Sequence, residues 1–189
     1  MVRLFFGLEL PAELRERIGA LAGGIERARF VPEENLHITL RFIGEVDEPT
    51  MQDIALAADG VRFEPVQVTL GGAGHFETRG RVSAVWLGVE PSAPLIALRQ
   101  RIEAALVRQG LPPERRRFKP HVTVARLNQG RPDEIRRWLA ANTMFRAVPF
   151  TADRFVLFSS ALGRRGPSYI AECGFPRGNQ FQFEAEDIL

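Results

Sequence analysis

Cysteine, lysine and histidine are scarce in this chain, and each shortage excludes a kind of site. The single cysteine, Cys173, excludes a disulfide within the chain and a zinc site built on several thiolates. The three histidines show no His-x-x-x-His spacing, so no histidine-based metal site is expected. No stretch approaches the roughly 20 apolar residues of a membrane helix, and the opening residues lack a signal peptide's apolar run. We therefore expect a cytoplasmic protein.

The basic side chains are almost all arginine, with 24 arginines against the single Lys119. Arg115-Arg116-Arg117 leads with Lys119 into a motif described below, and Arg164-Arg165 lies between glycines. Guanidinium groups are well suited to binding phosphate. However, a run of charged residues is also typical of a solvent-exposed face, and an excess of arginine can also reflect the base composition of the genome. The formal net charge is only +2, so these clusters, not the overall charge, favour a phosphate-bearing substrate.

The sequence repeats one short pattern, His-x-Thr followed by an apolar residue. It occurs at His37-Ile38-Thr39-Leu40 and, 84 residues later, at His121-Val122-Thr123-Val124. In a strand, side chains alternate between faces, so each histidine shares a face with its threonine while the apolar residues, with Phe42 in the first copy, point to the other. The pattern predicts two strands that each bury one face and present an imidazole beside a hydroxyl on the other.

Two such strands facing one cleft suit a reaction in which one proton is taken and another is given. Imidazole is the side chain for this work because its ordinary pKa of about 6.5 lies near neutrality. A single His-x-Thr more often marks a partly buried strand histidine bonded to the backbone. Two copies in equivalent contexts favour a catalytic pair, and the third histidine, His75, has no such partner.

Hydrophobic periodicity predicts the following elements. Helices are expected over 11–29, 50–58, 95–110 and 132–142, and strands over 2–8, 36–43, 66–70, 82–89, 150–159 and 168–175, in addition to the second motif strand. The glycine-rich 71–74 is predicted as a turn, because it lacks the lysine and helix of a phosphate-binding loop, and 159–167 as a loop. The tail 181–189 fits either a docked strand or a loose terminus.

The predicted elements follow the same order twice, with a motif strand between helices in each half. We therefore expect an α+β fold over residues 1–189, organised as one bilobal, pseudo-symmetric domain formed by internal duplication. Each lobe would be an antiparallel or mixed sheet with helices on its outer face, and the two lobes would enclose a central cleft. No low-complexity linker separates the halves.

The motif pair, together with Arg3-Leu4-Phe5-Phe6-Gly7-Leu8, 118–126 and 157–169, resembles the 2H phosphoesterase superfamily. Within it, the flanking segments are similar to the LigT-like RNA 2',3'-cyclic phosphodiesterases, historically called 2'-5' RNA ligases. The resemblance implies metal-independent hydrolysis of a 2',3'-cyclic phosphate to a 2'-phosphate end, with no cofactor. It also implies a reverse reaction that joins RNA ends through a 2'-5' linkage.

The chemistry that the resemblance implies assigns roles to the motif residues. One histidine protonates the departing 3' oxygen and the other deprotonates water, while the hydroxyls of Thr39 and Thr123 donate to the phosphate. We take His37 as the acid and His121 as the base, and the reverse assignment stays open.

Four further residues are candidates for substrate binding: Arg126, Arg41, Phe42 and Tyr169. Arg126 is favoured by resemblance, yet its odd spacing from His121 has the wrong parity for the same face. Either the strand bulges or twists there, the guanidinium reaches round the edge, or the residue serves structure. Arg41 has the correct parity from His37. Phe42 and Tyr169 also fit core packing.

Two alternatives compete with an RNA cyclic phosphodiesterase. A non-catalytic module that binds RNA ends would need basic and aromatic side chains but not two complete motifs. A phosphodiesterase acting on 2'-5' oligonucleotides or small cyclic phosphates would keep the chemistry and change the substrate. Whichever phosphodiester the enzyme hydrolyses, we expect it to be a monomer that binds neither a metal nor a membrane.

Overall fold

The computed structural model describes residues 1–163 and 166–176, and it has the predicted α+β architecture. The strands are β1 (Val2–Glu9), β2 (Ala28–Phe30), β3 (His37–Val46), β4 (Val66–Val68), β5 (Leu70–Thr78), β6 (Arg81–Val89), β7 (His121–Leu127), β8 (Phe150–Ala152), β9 (Phe155–Gly163) and β10 (Gly166–Phe175). The helices are α1 (Ala12–Gly19), α2 (Glu48–Asp59), α3 (Ala93–Arg108) and α4 (Pro132–Asn142), and a 3-10 turn spans Glu33–Asn35.

The larger sheet has the strand order β10-β9-β1-β3-β7-β6-β5, with β2 also paired to β7, while β4 and β8 form a small second sheet. All these pairings are antiparallel. Strands β10, β9, β1 and β3 form one lobe, and β7, β6, β5 and β2 the other. Within the sheet, β3 and β7 join the two lobes by pairing Ile38 with Val122.

The duplication is visible in the strand order, but its halves do not correspond to the lobes. The succession β1, α1, β3, α2, β4, β5 is repeated as β6, α3, β7, α4, β8, β9. Strand β5 of the first half pairs with β6 of the second, and β9 of the second half pairs with β1 of the first. The two halves therefore exchange strands, and each lobe contains strands from both halves.

The main core lies between the helices and one face of the larger sheet. Ile18 of α1, Ile54 of α2 and Leu98 of α3 are at most 1% exposed and pack there with sheet residues. Asp47 and Ser92 cap α2 and α3 by accepting hydrogen bonds from the amides of Thr50 and Leu95. No helix among residues 1–163 and 166–176 has the length and apolar character needed to cross a membrane.

Two glycine-rich segments depart from their predicted structures. Helix α1 ends at Gly19, not at 29, and Gly23 and Gly24 take positive φ angles of 139° and 74°, through which a helix cannot continue. The segment 71–74 is not a turn but part of β5. Gly74 is required there because a Cβ would lie 2.2 Å from the Trp86 ring, which crosses this strand.

The C-terminal strands also differ from the prediction. The single strand expected over 150–159 is divided into β8 and β9, and most of the loop expected over 159–167 belongs to the β9–β10 pairing. Arg164-Arg165 and the tail 181–189 lie outside the residues that the structure describes.

Candidate active site

Pairing of β3 with β7 brings the two motifs to one cleft of about 690 Å³. His37 and Thr39 line it from one lobe, and His121 and Thr123 line it from the other. Val122 and Ile38, which lie between these polar residues, are fully buried on the opposite face. The alternation predicted from the sequence therefore holds through each threonine.

A β-bulge follows each threonine and reverses the alternation. In β3 the register with β1 slips between Arg41 and Thr39, and in β7 the register with β6 slips between Ala125 and Thr123. Each bulge buries two consecutive residues, Leu40-Arg41 and Val124-Ala125. The next side chains, Phe42 and Arg126, consequently share the cleft with the histidines.

The bulges change the interpretation of three predicted residues. Arg126 lies on the cleft face because the strand bulges, which was one of the three readings that its parity left open. Phe42 was expected on the buried face, but it is 49% exposed and lines the cleft. Phe42 and Arg126 are 84 residues apart and occupy equivalent bulge positions, so the duplicated site is aromatic in one copy and cationic in the other.

The even spacing of Arg41 from His37 predicted that it would share the cleft face with the histidine. The bulge turns Arg41 to the buried face instead, and its side chain is only 7% exposed. Its Nε donates to Glu103 over 2.6 Å, a second nitrogen donates to Pro112 O over 2.6 Å, and a third donates to Phe42 O. Burial opposes ionisation of Glu103, yet hydrogen bonds from Glu114 N and Arg41 hold its pKa below the ordinary value. Arg41 borders the cleft, but its guanidinium fastens β3 to α3 and to the segment after α3.

His37 is held in one tautomer and surrounded by aromatic rings. Its Nδ1–H donates to Asn35 O over 2.7 Å, and its Nε2 accepts from the Thr39 hydroxyl over 3.1 Å. Phe5 lies 4.7 Å away between ring centroids, and Tyr169 lies 5.0 Å away in an edge-on arrangement. Burial lowers the pKa of His37 to about 4, and the positive charge of Arg126 acts in the same direction.

His121 has the same tautomer and a more cationic setting. Its Nδ1–H donates to Lys119 O over 2.7 Å, which matches the bond from His37 to Asn35. Phe76 contacts its ring edge-on at 4.7 Å. Burial lowers the pKa of His121, and the charges of Lys119 and Arg126 lower it further. Both imidazoles are therefore neutral at pH 7, with Nε2 as the nitrogen free of a backbone partner.

The structure adds a positioning residue that the motif search missed, Asn35. Its carbonyl fixes His37, while its buried side chain donates to Pro167 O over 2.9 Å and accepts from Tyr169 N over 3.2 Å. One residue thus joins the first motif to β10, which carries Tyr169 against His37. Its position two residues before the histidine, equivalent to Lys119, was the available sequence signal.

Sequence reasoning also missed the aromatic side chains beside the two imidazoles: Phe5, Phe158, Phe76 and Trp86. They come from strands distant in sequence, so no local pattern indicated them. His75 stays apart from the motif pair and contacts Glu77 over 3.2 Å. Within the described ranges, no group of three His, Cys, Asp or Glu side chains is placed to hold a metal ion.

This arrangement can transfer protons at two ends of one bound group. Two neutral imidazoles with fixed tautomers can each accept a proton, and whichever is protonated can return it to a leaving atom. Arg126 supplies positive charge from the same face, and the hydroxyls of Thr39 and Thr123 supply donors. The cleft therefore suits an anionic substrate whose reaction needs both an acid and a base.

Comparisons with known proteins agree with this chemistry. The family model of the 2'-5' RNA ligase superfamily matches residues 10–164. A Thermotoga maritima protein named RNA 2',3'-cyclic phosphodiesterase is 31% identical over 94% of this chain and 97% of its own length. A protein of the same name from Aeropyrum pernix is 43% identical over 53% of this chain, and the match spans 58% of that protein.

A solved structure shows the same fold. Escherichia coli LigT complexed with 3'-AMP superimposes with a TM-score of 0.74 and 30% identity, covering 92% of this chain and 97% of LigT. The motifs, the cleft and the family match lead to one conclusion: the chain belongs to the 2'-5' RNA ligase superfamily.

Proposed function

We propose that this protein is a metal-independent RNA 2',3'-cyclic phosphodiesterase that opens a 2',3'-cyclic phosphate end to a 2'-phosphate. The observation that carries the proposal is the pair of tautomer-fixed histidines, each beside a threonine, in one cleft with Arg126. Relatives named for this activity support the substrate class. A monomeric and cytoplasmic enzyme is part of the proposal.

In the proposed mechanism the cyclic phosphate lies between the two imidazoles. His121 Nε2 takes a proton from water, the hydroxide oxygen bonds to phosphorus, and the bond from phosphorus to the 3' oxygen breaks. Protonated His37 gives its proton to that oxygen, leaving the phosphate on the 2' oxygen. Thr39, Thr123 and Arg126 stabilise the negative charge that builds on the phosphoryl oxygens.

The asymmetry of the cleft favours this assignment of acid and base. Phe42 is exposed on the His37 side, at the position that Arg126 occupies in the other copy, so this side suits the nucleoside. The leaving 3' oxygen belongs to that nucleoside, and the acid must lie near it. The charge of Arg126 lowers the pKa of both imidazoles, so the position of the nucleoside, and not the pKa values, carries this assignment.

The first experiment measures hydrolysis of a short RNA ending in a 2',3'-cyclic phosphate, with EDTA present and without ATP. We expect a 2'-phosphate product from wild type and a loss of at least about 10²-fold in His37→Ala and His121→Ala. His75→Ala is the matched control, because this histidine is not among the residues that line the cleft. Equal turnover by all variants, or none by folded wild type, would refute the two-histidine mechanism.

A substrate with sulfur in place of the 3' oxygen separates acid from base. A thiol leaves as thiolate near its pKa of about 8.5, so it needs little protonation. We expect the sulfur substrate to restore His37→Ala selectively and to leave His121→Ala impaired. Selective restoration of His121→Ala would reverse the assignment.

The superfamily's name points to the reverse reaction as a second candidate. By microscopic reversibility, the same groups would let a 5'-hydroxyl attack the cyclic phosphate and form a 2'-5' linkage. The test supplies an excess of RNA with a 5'-hydroxyl end and looks for a joined product. Ligation is supported only if both histidine variants lose it.

A further inference from the structure

The cleft extends past the two imidazoles to a wall formed by α3 and the segment that joins α3 to β7. This wall carries Arg99, Arg116 and Arg117. Arg99 faces the cleft from α3, whereas the two histidines face it from β3 and β7.

Arg99 is a poorly neutralised cation in a largely buried position. Its side chain is 15% exposed, and within the described part of the chain its buried Nε has no hydrogen-bond partner. Arg99 pairs with the carboxylate of Glu103 over 3.6 Å, and Glu103 already accepts from Arg41 and from Glu114 N. A buried N–H without an acceptor is costly, so this guanidinium has donor capacity that the protein does not use.

The surroundings of Arg99 indicate what would use that capacity. Six cationic side chains of the described residues line the cleft, against the carboxylates of Glu77 and Glu114. The Phe118 ring lies 5.9 Å from the Arg99 guanidinium carbon and supports one side of this group. The wall is thus positive and preorganised, which suits an anion with several acceptor oxygens.

We propose that Arg99, assisted by Arg116, forms a second phosphate site for the phosphodiester on the 5' side of the terminal nucleotide. The inference rests on the proposed function, because the cyclic phosphate at the histidines fixes which phosphate comes next. The preferred substrate is then an oligonucleotide end, and a lone nucleoside cyclic phosphate is a poorer substrate. Arg99 determines this specificity and takes no part in the chemical step.

The experiment compares three substrates: a nucleoside 2',3'-cyclic phosphate, a dinucleotide with the same cyclic end, and that dinucleotide with a neutral methylphosphonate linkage. Wild type is expected to prefer the charged dinucleotide over the neutral one by about tenfold in kcat/KM, because that factor corresponds to the loss of one charge-assisted hydrogen bond. Arg99→Gln should abolish the preference through KM, while its nucleoside turnover stays within about twofold. Arg99→Lys should keep part of the preference.

Arg108→Gln is the matched control, because Arg108 is exposed on the same helix and is not among the residues that line the cleft. Equal rates for charged and neutral dinucleotides in wild type would overturn the proposal, as would an unchanged preference in Arg99→Gln. A loss of nucleoside turnover in Arg99→Gln equal to the dinucleotide loss would also overturn it. Failure of wild type on all three substrates would instead refute the proposed function.

Discussion

The free enzyme and the substrate complex are expected to respond differently to pH. With a pKa of about 4, His37 carries a proton in about one molecule in a thousand at pH 7. The pKa of His121 is also below its ordinary value. Whichever histidine is the acid, one must be protonated and the other neutral, so kcat/KM, which reports the free enzyme, should peak between about pH 4 and 6.5.

Bound substrate should move this optimum toward neutrality. A phosphoryl anion about 4 Å from an imidazole favours its charged form by about 4 kcal/mol at an effective dielectric constant of about 20. That energy raises a pKa by about 3, which brings His37 from about 4 to near 7. The pH profile of kcat, which reports the complex, should therefore peak nearer pH 7 than that of kcat/KM.

The assay follows hydrolysis of a nucleoside 2',3'-cyclic phosphate from about pH 4 to 9 at constant ionic strength, with kcat and kcat/KM fitted separately. His75→Ala serves as the control, since its profiles should match those of wild type. Protein incubated at each pH and returned to neutrality tests for irreversible loss of fold. A profile that is flat between pH 5 and 8, or a kcat/KM that keeps rising above pH 7, would refute the reasoning.

Three further predictions concern the fold around the site. His37 should contribute about 3 kcal/mol to a loss of stability in urea between pH 6.5 and pH 4, because it gains a proton in the unfolded chain before it does so in the folded protein. His121 acts in the same direction, and His37→Gln should remove only the His37 part of the loss. Arg41→Met should cost about 1–3 kcal/mol by removing the charge-assisted hydrogen bond to Glu103, which keeps Glu114 N and the more distant Arg99 as partners, and the added change Glu103→Leu should recover part of it. Gly74→Ala should displace Trp86, lower stability by about 1–3 kcal/mol and shift tryptophan fluorescence.

Each of these predictions has a result that contradicts it. If wild type and His37→Gln lose the same free energy of unfolding between pH 6.5 and pH 4, another group takes up the proton. A cost below about 1 kcal/mol for Arg41→Met would mean that Glu103 is well solvated without its partner. For Gly74→Ala the control is Gly60→Ala, whose Cβ would meet only Ala57 O at 3.6 Å, and equal effects of the two changes would refute a specific clash.

The sequence predicted the orientation of side chains correctly where the two-residue alternation of a strand is not interrupted. Alternation placed His37 with Thr39 and His121 with Thr123, because no bulge intervenes within those pairs. The same alternation misplaced Phe42, since one extra residue reverses every side chain that follows it. The bulge in β3 leaves no mark on the hydrophobic pattern, because one of its two buried residues is the polar Arg41.

Residues whose roles depend on distant partners could not be predicted from local patterns. Asn35 acts through the backbone of Pro167 and Tyr169, more than 130 positions away. Gly74 was predicted to belong to a turn, because the sequence does not show that the Trp86 ring on the neighbouring strand excludes any larger side chain there. In both cases the sheet order supplies the contact, and the sheet order depends on which strands the two halves exchange.

The exchange of strands between the halves has a consequence for synthesis of the chain. Strand β1 obtains its β9 neighbour only after more than 150 residues have been made, so the first lobe stays incomplete until then. Contacts of such long sequence separation slow folding, because the intervening chain must be ordered first. The nascent N-terminal half therefore carries an unpaired edge on the ribosome, and a C-terminal truncation that removes β9 disrupts the lobe that holds His37.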